Sequence, residues 1–157
     1  MDLLAELKAL AQELDRRSVA YGLCGGLAMA VHGHMRATSD IDLLVLAKDL
    51  DAALAAAQGL GFDLSAGPMR FAGERVVIHR LSKSMGEDEY ALPLDFIVVG
   101  PELEQAWDSI QQVPWQGGTL RVLSPEGLRS MKSLRQSAQD KADLETLAAL
   151  KRDAKGQ

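Results

Sequence analysis

The chain has 157 residues, 47% apolar and 25% charged, with a formal net charge of −5. That balance excludes a disordered chain, a collagen-like repeat and a coiled coil, and fits one domain able to bury a real core. A single cysteine, Cys24, excludes an internal disulfide framework and a multi-cysteine zinc site.

The longest apolar stretches, such as LLVLA after Asp42, fall far short of the ~20 residues of a membrane span. Asp2, Glu6 and Lys8 interrupt the first turns, which argues against a secretory leader, so a reducing cytoplasm is the expected compartment. No global basic field draws the chain to long nucleic acids or membrane surfaces.

Leu3, Leu4, Leu7, Leu10 and Leu14 recur at helical spacing and predict an amphipathic helix over 2–17. Val19 to Leu23 reads as a short strand ending at Gly25-Gly26, and Leu27 to His32 as a short helix closed by Gly33. Ile41 to Leu46 is too continuously apolar for a surface strand and predicts a central buried one. An alanine-rich helix follows over 49–58, ended by Gly59 and Gly61.

Phe62 to Leu64 and Arg75 to Leu81 read as strands around a turn near Gly73, followed by a polar loop over 82–89. Leu92 to Val99 predicts a second buried strand, with Pro93 tolerated near its start. Gly100-Pro101-Glu102 opens a helix. Trp115 and the stretch Leu120 to Leu123 flank a Gly117-Gly118 hairpin turn. Ser124-Pro125-Glu126 caps the first of two final helices, over 125–136 and 139–152. The expected class is α/β (α+β) with a mixed sheet and a C-terminal helical pair. A single domain over 1–157 is expected, with a sheet-bearing core at 18–123 and helices at 124–152.

The chemistry concentrates in Gly25-Gly26, Asp40-Ile41-Asp42 and Leu94-Asp95-Phe96. Alternate residues of a strand share a face, so Asp40 and Asp42 point together while Ile41 and Leu43 point into the core. Carboxylates one pleat repeat apart, about 6.6 Å, repel unless a cation sits between them. Asp95 repeats the pattern, and pairing of its strand beside the first brings three carboxylates together. An oxygen-only site of this kind suits Mg²⁺ or Mn²⁺, which retain waters and bind substrate phosphates.

Ile41, Leu43 and Leu44 contradict an EF-hand loop, and the chain contains neither a G-x-x-x-x-G-K-[ST] nor a G-x-G-x-x-G motif. Glycines between a strand and a helix let backbone N–H groups approach an anion; a packing-driven tight turn is the other reading of Gly25-Gly26.

A Gly-Gly turn, a short helix, an acid-apolar-acid strand and a later third acid together resemble the polymerase-β-like nucleotidyltransferase superfamily. The stretch GGLAMAVHGHMRATSDIDLLV resembles the small bacterial branch related to abortive-infection nucleotidyltransferase toxins. The tail SPEGLRSMKSLRQSAQDKADLETL, with Lys132 eight residues before Asp140, resembles that branch's helical segment, and the likeness spans roughly 18–150. The resemblance implies that Asp40, Asp42 and Asp95 are the catalytic, metal-holding residues and that Asp95 accepts or orients the attacking hydroxyl. It further implies that Gly25, Gly26 and Lys132 bind the nucleotide.

The implied reaction is Mg²⁺- or Mn²⁺-dependent transfer of a nucleoside monophosphate from an NTP to a hydroxyl of an unspecified acceptor, with pyrophosphate leaving. The acceptor is open between a small antibiotic-like molecule, a protein side chain and an RNA end. The chain departs from the branch at Leu27, where a Ser or Thr is common, and at Ser137 and Gln139, where basic residues are common. Those departures keep an alternative open, a non-catalytic domain on the same fold that binds a protein partner, as in a toxin–antitoxin pair. A hydrolase using the same acids is a further alternative.

His32, His34 and His79 match no zinc-ligand spacing, and Cys24 is expected to pack as a small apolar group. Arg36 is read either as a phosphate contact or as a counter-charge for the acids. Arg70, Arg75, Arg80 and Lys83 bring positive charge along a hairpin, read either as a contact for an RNA or a partner or, in preference, as solvated surface charge.

Overall fold

Seven strands form one mixed sheet in the order β3-β4-β5-β2-β1-β7-β6 in a computed structural model of the chain. The structure describes residues 3–35, 37–71, 76–84, 86, 91–134 and 147–150.

In chain order the elements are α1 (Leu3–Arg16), β1 (Gly22–Cys24), α2 (Gly25–Val31), β2 (Ile41–Leu46) and α3 (Leu50–Gly59). A β-hairpin layer follows, with β3 (Leu64–Phe71), β4 (Val76–Lys83) and β5 (Leu92–Val99). The chain then runs through α4 (Glu104–Asp108), β6 (Gln111–Trp115), β7 (Gly118–Val122) and α5 (Pro125–Lys132). Short 3₁₀ turns at Ala47–Asp49 and Pro101–Leu103 lead into α3 and α4.

The two apolar runs occupy the middle of the sheet, as expected, because only there are both faces covered. β2 and β5 lie parallel with Asp42 beside Asp95, and β1 lies antiparallel to β2 with Cys24 beside Asp42. Leu7, Leu10, Ala11 and Leu14 of α1 are buried, as are Ala53, Ala56 and Ala57 of α3, and each fully buried leucine contributes about 1.5–3 kcal/mol. Lys83 of β4 reaches Glu6 of α1 with both carboxylate oxygens within 3.1 Å. Strand alternation puts Lys83 and Arg80 on opposite faces, so α1 covers the face away from the aspartates. Leu128 and Met131 of α5 line a cleft with Asp42 and Ile97, which places α5 on the aspartate face.

Several expected bounds shift. β1 is confined to Gly22–Cys24, and α2 begins on Gly25 itself. The third strand is Leu64–Phe71 rather than the three residues from Phe62, and β4 continues through Ser82 and Lys83 into the expected loop. The hairpin turn is Gln116-Gly117, both at positive φ, which leaves Gly118 in β7. Pro114 stands on the edge strand β6, where a missing N–H interrupts no central ladder. Of the two final helices, α5 and the helical residues 147–150 are described, and Asp140, Ser137 and Gln139 lie outside the described residues. So do Arg36, Gly73 and Arg75. Among the described residues no helix is long and apolar enough to cross a membrane.

The start of α5 is clamped to the end of α4. Ser124 caps the helix by accepting a hydrogen bond from the Gly127 N–H at 3.1 Å, and the Ser124 N–H donates to the Ser109 carbonyl at 3.2 Å. A Cβ on Gly127 would lie 1.8 Å from Ser109 Oγ and 2.7 Å from Ser109 Cβ. Gly127→Ala should therefore cost about 1–3 kcal/mol in urea unfolding. Part of that loss should return in the Gly127→Ala/Ser109→Gly double variant, which relieves the clash but gives up the Ser109 hydroxyl's bonds to the Ala106 carbonyl and from the Ser124 N–H.

Candidate active site

The carboxylates meet at one end of the central strands. Asp40 immediately precedes β2, Asp42 is its second residue, and Asp95 sits at the register position beside Asp42 on β5. One carboxylate oxygen from each of the three lies within 4.8 Å of the others. Ligands facing each other across a Mg²⁺ ion at 2.0–2.1 Å are about 4.2 Å apart, so small side-chain rotations close this set around one ion. The donors are all oxygen, which suits Mg²⁺ or Mn²⁺. The residues present thus fit the implied metal, and among the described residues this is the cluster of such ligands that could hold one.

Gly25 shapes the floor of the site. Its φ is +71°, and a Cβ placed on it would stand 2.1 Å from Asp42 Oδ2. The carboxylate of Asp42 therefore rests against main chain at the β1–α2 junction, a space only glycine leaves open. Gly26 is buried in the first turn of α2. Leu27 is also buried, so its side chain packs into the core. Lys132, at the end of α5 and only 7% exposed, lines the narrow cleft that also includes Cys24, Gly25 and Asp42. The Cys24 thiol packs inside and donates weakly to the Asp42 carbonyl at 3.4 Å.

One participant was missed at the sequence level. Arg80, read there as solvated charge, forks onto Asp95: Nε donates to Oδ1 at 2.7 Å and Nη2 to Oδ2 at 2.9 Å. Asp95 itself is only 5% exposed. The hydrogen bonds it donates to Asp95 hold the guanidinium above its ordinary pKa; burial opposes this, and the charges of Asp95, Asp40 and Asp42 reinforce it. The signal was present in hairpin geometry. Arg80 and Asp95 stand at equal distances from the middle of the connection between β4 and β5, so antiparallel register places them opposite each other.

The histidines do not gather into a metal site. His32 Nε2 lies 2.7 Å from the Leu123 carbonyl, and His79 pairs with Pro68 and Phe96 along the sheet.

The sequence matches no protein-family model and no curated protein. The fold does match solved structures. The lincosamide antibiotic adenylyltransferase LnuA, bound to lincomycin, is similar with a TM-score of 0.60 and 17% identity, over 93% of this chain and 96% of that one. The antibiotic-resistance factor ANT(2″)-Ia, in complex with adenylyl-2″-tobramycin, gives a TM-score of 0.58 and 15% identity over 98% and 97%. TM1012 of Thermotoga maritima gives a TM-score of 0.59 and 14% identity over 98% and 93%. The chain thus has the nucleotidyltransferase fold, in agreement with the polymerase-β-like resemblance of its motifs. These three structures add nothing to the abortive-infection link.

Proposed function

We propose that this protein is a metal-dependent nucleotidyltransferase that moves a nucleoside monophosphate from an NTP to a hydroxyl of a small acceptor. The observation that carries the proposal is the meeting of Asp40, Asp42 and Asp95 within 4.8 Å on a nucleotidyltransferase fold. A bound divalent ion supplies charge stabilisation to the triphosphate and the developing negative charge. Asp40, just before β2, and Asp42, within it, would hold that ion. Asp95 would be the third ligand and would orient, or take the proton from, the acceptor hydroxyl. That oxygen forms a bond to the α-phosphorus, the bond to the bridging oxygen breaks, and pyrophosphate leaves.

Gly25 and Gly26 give the phosphates close access to main chain, and Lys132 adds positive charge beside them. The net charge of −5 favours a small acceptor over a long nucleic acid. Antibiotics are the molecules named with LnuA and ANT(2″)-Ia, and hydroxylated compounds of that kind make the first acceptor panel.

Labelled ATP, Mg²⁺ and this panel test the reading. Label appearing on an acceptor supports it, and release of free nucleotide alone supports the hydrolase. Buried Leu27, which offers the phosphates no hydroxyl, favours a second reading: a non-catalytic, partner-binding domain. Indifference of the melting temperature to Mg²⁺ with every NTP would select that reading. Lys132→Ala should weaken ATP binding about tenfold while changing Mn²⁺ binding less, as isothermal titration would show. Equal ATP affinity would remove Lys132 from the site.

A further inference from the structure

Arg80 and Asp95 occupy one row of the sheet with Asp42, since Asp42 is beside Asp95 and Asp95 beside Arg80. A carboxylate offers roughly four acceptor positions, two on each oxygen. The Arg80 fork uses one on each oxygen, so each oxygen keeps a second position for other ligands. Burying a carboxylate to 5% exposure beside two others is costly unless a cation pairs with it. Arg80 is that cation, and its planar fork fixes the carboxylate plane as a point charge would not.

Resting on the metal site proposed above, we propose that Arg80 is the positioning residue of that site. Its fork orients Asp95 toward Asp40 and Asp42, and its charge stands in for part of a metal ion. The triad is thereby held assembled before any metal arrives. The same charge makes the site bind a divalent ion more loosely than three uncompensated carboxylates would. A free energy of metal binding that is only moderate suits a site that must also release a metal-bound product, pyrophosphate.

The test is Mn²⁺ titration followed by electron paramagnetic resonance, with melting temperatures of the metal-free proteins, on wild type, Asp42→Asn, Arg80→Met and Arg80→Lys. Arg80→Met should melt lower than wild type without metal and yet bind Mn²⁺ about fivefold to tenfold more tightly, the effect of removing a unit charge near the ion. Arg80→Lys keeps the charge without the fork and should return Mn²⁺ affinity to within about twofold of wild type. A purely structural arginine would lower stability and metal affinity together. Should Arg80→Met fail to fold, Arg80→Gln, which keeps one donor and removes the charge, carries the same expectation. If wild type binds Mn²⁺ and Asp42→Asn does not, but loss of the Arg80 charge gives no tighter binding, the role assigned to Arg80 is overturned and the metal site stands. If wild type binds no Mn²⁺, both fall.

Discussion

Gly25→Ala is expected to remove metal binding and to destabilise the protein by about 2–4 kcal/mol, the combined cost of a strained backbone and a forced side-chain clash. The backbone part follows from φ of +71°, which a residue with a Cβ adopts at a cost of about 1 kcal/mol or more. The clash is with Asp42: the added atom would lie 2.1 Å from Oδ2 and 2.9 Å from Cγ. Asp42 is laddered on both sides, to Cys24 and to Asp95, so its main chain has little room to retreat. Only its side chain can turn, and turning takes the carboxylate away from Asp40 and Asp95.

Gly33→Ala is the matched control. Its φ is +94°, yet among the described residues no atom beyond its chain neighbours lies within 4 Å of its would-be Cβ, so it should lose stability through backbone strain alone and keep Mn²⁺ binding. Wild-type Mn²⁺ affinity in Gly25→Ala would show that Asp42 does not depend on this cradle. Thermal melts with and without Mn²⁺ read both effects at once.

How much of this was legible before the structure depends on burial. Ile41–Leu46 and Leu92–Val99 match their expected bounds because a strand covered on both faces must be apolar throughout. The convergence of Asp42 with Asp95 followed from the same runs, since each acid interrupts its run near the start. β3 runs well past the three residues expected from Phe62, through Gly67 and Pro68, two residue types that disfavour a strand. On an edge strand with a register shift between Ser65 and Pro68, both residues are accommodated. β6 escaped for a related reason: Gln111 and Gln112 are exposed on an edge, so burial leaves no mark on them.

Lys83 looked like loop because its strand role depends on partners distant in sequence, the Glu6 carboxylate and the Phe62 ring 5.8 Å away. Arg80 is the instructive miss. Its charge type says surface, and only the pairing register with β5 turns it toward a buried acid. Composition and spacing thus located the acids, whereas the cation that holds one of them required the sheet.

Asp42→Asn, and Asp40→Asn with it, should abolish Mg²⁺-dependent stabilisation by NTP while leaving the metal-free melting temperature unchanged or raised. A ligand at a hundred times its dissociation constant stabilises a native protein by about 2.7 kcal/mol. In a chain of this size that corresponds to a rise of roughly 5–10 °C in melting temperature, large enough for its disappearance to be unambiguous. The carboxamide keeps the volume of the carboxylate and one of its acceptors, so packing against Gly25 survives while the charge is lost. In the metal-free protein that charge is opposed by the neighbouring acids within 4.8 Å, and the Arg80 fork engages Asp95.

Removing a repelled charge costs little, whereas removing a metal ligand removes the charge stabilisation that the ion would supply. The two expectations point in opposite directions, and that opposition separates a metal site from a structural one. A carboxylate serving only to cap the start of β2 would, on neutralisation, lower the metal-free melting temperature and leave the response to Mg²⁺ and NTP intact.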